Sequence, residues 1–210
     1  MKIKCGISTN ISIHGGILMQ AVTIKKTALP ELWFRLSVRS GVLVQLAGVV
    51  VGAALLFLAS HINTIDGLRI ALMLLGWLVI YICCHAVAHW AVGRLVGIHF
   101  RGFGVRGTDH PENYPPVLRQ IMSCIPFFTA MTEKGSMRQA SPLAKALMFA
   151  AGETSTNLCS LLAAAYAWLS GIPGGFTLFV IVVGWDTVSS IVVSIIPRGD
   201  YAKAIKALRS

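Results

Sequence analysis

Long apolar runs separated by short polar stretches organise this chain. Gly41–Ser60 and Ile70–Gly93 contain no Asp, Glu, Lys or Arg, and the second is bracketed by Arg69 and Arg94. Pro142–Ser170 carries only Lys145 and Glu153, and Phe176–Ile196 only Asp186. A helix needs roughly 20 apolar residues to cross the hydrocarbon of a bilayer. Each run reaches that length, so the pattern predicts an all-α membrane protein with about four transmembrane helices, over about 41–60, 70–93, 142–170 and 176–196. Gly171-Ile172-Pro173-Gly174-Gly175 reads as a tight turn between the last two.

The polar segments are less uniform. Between Arg94 and Ser141, His99–Val105 alternates bulky with polar or small residues, the period of a short strand. Asp109–Pro116 is a turn-rich break. Val117–Thr132 is largely apolar but interrupted by Pro126; too short and broken to span, it reads as a re-entrant or membrane-surface segment. Ahead of the first run, residues 1–40 carry Lys2, Lys4, Lys25, Lys26, Arg35 and Arg39 against a single acid, Glu31. This stretch has no apolar core with a small-residue cleavage site and is not a signal peptide pattern. Residues 1–18 read as poorly structured, with Met19 a candidate start of translation, and Leu29–Arg39 reads as an interfacial segment. The domain reading is therefore 1–40, N-terminal and interfacial, and 41–210, transmembrane with a small strand-and-loop insertion.

Basic residues set the orientation. Arg94, Arg101, Arg106, Arg119, Lys134 and Arg138 lie in the large loop, and Arg198, Lys203, Lys206 and Arg209 in the tail. Gly171–Gly175 has none and His61–Arg69 has only Arg69. The positive-inside rule places both termini and the large loop in the cytoplasm.

Composition narrows the class. Of 210 residues, 55% are hydrophobic and only 12% charged, and the mean hydropathy is +0.72, the profile of a multi-pass membrane protein. The net charge of +10 raises nucleic acid as a partner. The cations flank apolar runs and no aromatic-basic motif accompanies them, so topology and anionic lipid account for them and no nucleic-acid partner is expected. Five cysteines, mostly in or beside apolar runs, do not make a disulfide framework. Cys83 and Cys84 point about 100° apart on a helix, so at most one shares the face of His85; small buried hydrophobes is the simpler role.

Candidate chemistry lies inside the spans, where ionisable groups are costly and need a reason. His85-Ala86-Val87-Ala88-His89 sets two imidazoles one helical turn apart on one face, which suits chelation of a single metal ion. A zinc-hydrolase helix reads H-E-x-x-H with Glu as general base; here that position is Ala86. A histidine pair in a span can instead bond to backbone or to Ser and Thr of neighbouring helices. Asp200, just past the fourth span, emerges at the membrane face nearest the histidines, and two imidazoles with one carboxylate would make a three-ligand zinc site with an open fourth position. Asp186, near the middle of the fourth span, is the second candidate for third ligand. Glu153 is either a relocated base or extra ligand near His85, or a buried carboxyl bonded to Thr154, Thr156 or Asn157 or paired with His85 or His89. Lys145 reads as snorkelling to the interface.

His85 to Ile98, with Gly93 and Gly97 after the histidines, resembles the active-site helix of the site-2 protease family of intramembrane zinc metalloproteases. Ser194-Ile195-Ile196-Pro197-Arg198-Gly199-Asp200 resembles that family's later motif, an N-x-x-P followed by the aspartate ligand. The likeness covers about Gly67 to Ala207. It implies zinc held by His85, His89 and Asp200, with zinc acidifying a bound water while the missing glutamate would take the proton. The departures are Ala86 for the glutamate, Ser194 for Asn, Tyr201 for Gly, and Ala151-Gly152-Glu153-Thr154-Ser155-Thr156-Asn157 where the family has a G-P-x-x-N-like motif. Loss of a general base costs ~10²–10⁴ in rate. The resemblance thus implies a pseudoprotease that retains zinc and acts as a membrane adaptor or accessory subunit, meeting a transmembrane helix or a membrane-complex partner in the lipid bilayer. The alternatives are an active protease, with Ala86 an engineered change or Glu153 as base, and a metal-free structural subunit.

Overall fold

The computed structural model describes residues 32–107, 117, 120, 123–195 and 199–210. The readings of residues 1–31, of the turn-rich break at Asp109–Pro116 and of Pro197 fall outside these residues. The described elements run β1 (Phe34–Leu36), α1 (Val38–His61), α2 (Asp66–Leu95), β2 (Phe100–Arg106), β3 (Phe127–Thr132), α3 (Lys134–Gln139), α4 (Pro142–Leu169), α5 (Gly175–Ile195) and α6 (Asp200–Leu208).

Local chemistry fixes the helix starts. The Ser37 hydroxyl accepts from the Ser40 amide at 3.1 Å ahead of α1. Ser141 does the same for Ala144 ahead of α4, where Pro142 fills a first-turn position that needs no N–H donor. Helices α1 and α2 form a hairpin whose backbones touch: a Cβ on Gly52 would run into the Gly76 carbonyl, and one on Gly76 into that of Gly52. Such small-residue contacts let apolar helices associate where lipid offers no hydrophobic drive.

Helices α1 and α2 are long and apolar enough to cross a bilayer, with mean hydropathies of 2.5 and 2.3 over their best windows. At about 1.5 Å per residue, the 30 residues of α2 extend about 45 Å. That exceeds a hydrocarbon core of roughly 30 Å and leaves turns to project beyond it. Leu43, Val50 and Phe57 point outward from α1 with more than half of their surface exposed, as lipid-facing residues do. Helix α4 is interrupted by Lys145, Glu153 and a run of hydroxyl residues, and α5 has a shorter apolar stretch, Gly175–Ile191. Leu56, Met73, Ile80, Ala164, Ile172 and Val182 form the main apolar core, which ties α1, α2, α4 and α5 together towards the α4–α5 turn.

The strand read at His99–Val105 forms as β2, beginning at Phe100. It is the centre of a three-stranded antiparallel sheet in the order β1-β2-β3, with Phe34 opposite Val105 and Phe103 opposite Ala130. Two segments differ from expectation. Part of the stretch read as interfacial, Phe34–Leu36, is β1, and the last six residues of the stretch read as re-entrant or surface-lying are β3. The physical reason lies in β2, where Phe103 and Val105 are almost wholly buried and Phe103 packs against Gly41 of α1. Both segments pair with β2 through their backbones, which local hydropathy does not reveal. The sheet puts β3 beside the histidine-bearing half of α2, and the two line one cavity.

Candidate metal centre

Three elements supply the centre. Helix α2 presents His85 and His89 one turn apart, as their spacing requires, and α6 opens with Asp200. Helix α4 runs antiparallel against α2 and offers Met148, Gly152 and Thr156 on one face, spaced every fourth residue.

The donor atoms form a nearly equilateral triangle. His85 Nε2 and His89 Nε2 are 3.2 Å apart, and each is 3.2 Å from Asp200 Oδ2. Zinc–ligand bonds of about 2.0–2.1 Å at tetrahedral angles separate neighbouring donors by about 3.3–3.4 Å. The triangle is therefore the size of one face of a zinc tetrahedron, with the fourth vertex open. Among the described residues His85, His89 and Asp200 are the group that can hold a metal ion. Imidazole donors favour zinc and the later transition metals over magnesium or calcium.

Hydrogen bonds behind the triangle fix which ring nitrogens face inward. His89 Nδ1 donates to the Met148 carbonyl at 2.6 Å. Thr156 donates its hydroxyl to the Gly152 carbonyl at 3.1 Å, so its oxygen is left to accept from His85 Nδ1 at 3.0 Å. Both neutral rings then direct a bare Nε2 lone pair into the centre. Two lone pairs and a carboxylate meeting at 3.2 Å repel unless a proton or a cation lies between them. Metal-binding histidines are typically held this way, with the outer N–H on a carbonyl or hydroxyl that sets the tautomer. Replacing Thr156 by Val, which keeps the shape and removes the acceptor, is expected to weaken metal binding about 10-fold, as measured by competition with a chromophoric chelator.

Asp200 is engaged at both oxygens, with Oδ2 in the triangle and Oδ1 accepting from Lys203 Nζ at 2.8 Å. Burial works against its charge, and the Lys203 ammonium at Oδ1 works for it. It is an ionised, single-oxygen donor.

The remaining candidates separate clearly. Glu153 is not remote from the histidines: it lines the same cavity of about 680 Å³ as His85, His89 and Asp200. The neighbours expected to satisfy it are otherwise engaged. Thr154 pairs with Tyr201, Thr156 with His85 and Gly152, and Asn157 donates to Ser190 on α5. Asp186 lies outside the metal group, and among the described residues its buried oxygens have no hydrogen-bond partner. Ala86 is wholly buried and does not line the cavity. Cys83 and Cys84 are buried free thiols; Cys84 approaches the Tyr81 and Ser155 carbonyls, not the metal group. Lys145 Nζ donates to the Arg138 carbonyl at the start of α4.

Met148, Thr156 and Lys203 belong to the centre without having been expected there. The four-residue spacing of 148, 152 and 156 mirrors that of 85 and 89, a signal present in the sequence. That two faces so spaced meet is a property of the packing. Compared with known family profiles, with characterised proteins and with solved structures, the chain matches none.

Proposed function

We propose that this chain is a site-2-protease-like integral membrane protein that holds one zinc ion at His85, His89 and Asp200 and binds membrane-spanning segments without cutting them. The single observation that carries the reading is the triangle of donors at 3.2 Å, backed by outer hydrogen bonds at both Nδ1 atoms that make Nε2 the inward donor of each neutral ring. In this reading α1, α2, α4 and α5 all cross the bilayer, and both termini and the β2–β3 loop face the cytoplasm. The cavity beside the centre takes the partner's segment against Trp77, Tyr81 and Phe128. Zinc in such a centre supplies a Lewis acid and a more acidic bound water. With Ala86 at the base position, the usual proton acceptor is gone. The inward-facing Asp200 speaks against a metal-free structural subunit, for which the carboxylate would turn to solvent.

A second reading, a working peptidase in which Glu153 takes the proton, is favoured by one observation: Glu153 faces the same cavity as the three ligands. One experiment separates the two. The protein in vesicles is incubated with transmembrane peptides, and both capture and cleavage are followed by mass spectrometry. Capture of a peptide that stays intact is the expected result. Cleavage that disappears in Glu153→Gln while zinc stays bound would establish the second reading instead.

A further inference from the structure

The helix that carries Asp200 is short and is held on α4 through small side chains and polar contacts, the Thr154–Tyr201 hydrogen bond among them. Helix α6 has nine residues, too few for a stable helix on its own in water. Its buried contact with α4 consists of Ala204 and Ala207 on Ala146, with Phe149 and Ala150 alongside, mostly methyl groups. The large apolar side chains that usually anchor a helix are few here, so its docking leans on the polar contacts at its Asp200 end. Yet the centre's third ligand depends on this helix staying docked.

The opposite side of α6 is not an ordinary solvated face. Ile205 and Leu208 are 40% and 58% exposed, and the cations Lys206 and Arg209 are exposed beside them. Apolar side chains interleaved with cations mark a helix that lies in a membrane surface and meets anionic headgroups. Helix α6 begins within five residues of the end of apolar α5, at Ile195, so it cannot lie far from that surface. The positive-inside rule explains which side of the membrane these cations occupy. It does not explain why they alternate with exposed Ile and Leu on the one short helix that bears a ligand.

We propose that anionic lipid headgroups dock on the Ile205, Lys206, Leu208 and Arg209 face of α6 and hold Asp200 in the triangle, so that metal affinity depends on the lipid. This rests on the metal-centre reading of His85, His89 and Asp200. Lipid and metal then act on one equilibrium, α6 docked or undocked, and each raises the affinity of the other by the same factor. Lys203 stays out of the lipid contact because its ammonium is committed to Asp200.

The test is titration of the full chain with Co²⁺ in phosphatidylcholine bilayers and in phosphatidylcholine mixed with phosphatidylglycerol. The visible cobalt absorption reports ion in the centre rather than ion adsorbed to headgroups. A basic side chain at an anionic surface contributes about fivefold in binding constant, so affinity should rise at least about fivefold in the anionic bilayer. Lys206→Gln/Arg209→Gln, both exposed positions, should abolish that rise while leaving affinity in phosphatidylcholine unchanged, and high salt should shrink it. Equal affinity in the two bilayers, or a rise that survives the double substitution, overturns the coupling but leaves the metal centre standing. Absence of cobalt absorption in both bilayers overturns the metal centre itself, and the coupling with it.

Discussion

Replacing His85 and His89 together by alanine is expected to abolish the zinc binding proposed here, from about one ion per chain to none. The two rings supply both nitrogen donors of the triangle, and among the described residues no other His lies in the metal group. Asp200 alone, with Lys203 already on Oδ1, is a poor site for a divalent cation. Elemental analysis of the purified protein beside the variant is the direct measurement. The same change should loosen the start of α6, because Asp200 loses the metal that ties it to α2 and the buried apolar contact with α4 is mostly alanine. Amide exchange over Asp200–Leu208 should quicken correspondingly. A wild-type protein purified without zinc that also takes none up on dialysis would sink the metal reading. If α6 were still loosened in that protein's variant, the cluster would be a structural network of hydrogen bonds.

Much of this centre was legible in the sequence, for identifiable reasons. Helical periodicity places His85 and His89 on one face whatever the surroundings, and the cost of burying ionisable groups in apolar segments singles out the same handful of residues. Asp200 could be preferred over Asp186 because a four-span reading brings it out, just past the fourth apolar run, at the membrane face nearest the histidines. The conversion of Phe34–Leu36 and Phe127–Thr132 into strands was not legible, because their partner is β2 and pairing over such separations leaves no local mark. The same holds for Thr156. Its hydroxyl reads as one of several in Thr154-Ser155-Thr156, and only the approach of α4 to α2 chooses it. Whether Glu153 faces the cavity or a hydroxyl neighbour is likewise set by how α4 packs on α2, which the sequence does not show.

Gly152 supplies the sharpest test of that approach. Gly152→Ala is expected to lower zinc affinity by about 10- to 100-fold, the range seen when groups behind metal ligands are disturbed. A Cβ at this position would occupy the space of the His89 ring, with Nε2, the inward donor, the nearest atom. The ring cannot simply retreat, because its Nδ1 is held by the Met148 carbonyl one turn away on the same helix. Helix propensity pulls the other way, since Ala in a helix interior is favoured over Gly by about 1 kcal/mol. Overpacking a close contact costs about 1–3 kcal/mol, so the clash outweighs the gain. The two effects also have different signatures. A loss of helix packing would lower thermal stability of the zinc-free protein and the zinc-bound protein alike, whereas displacement of the imidazole should reduce chiefly the increment that zinc adds. Competition titration for zinc, run beside thermal unfolding with and without the metal, reads both. Unchanged affinity in Gly152→Ala would mean that α4 stands further from His89 than the 2.6 Å hydrogen bond to Met148 requires, and the tautomer argument for an inward-facing Nε2 would go with it.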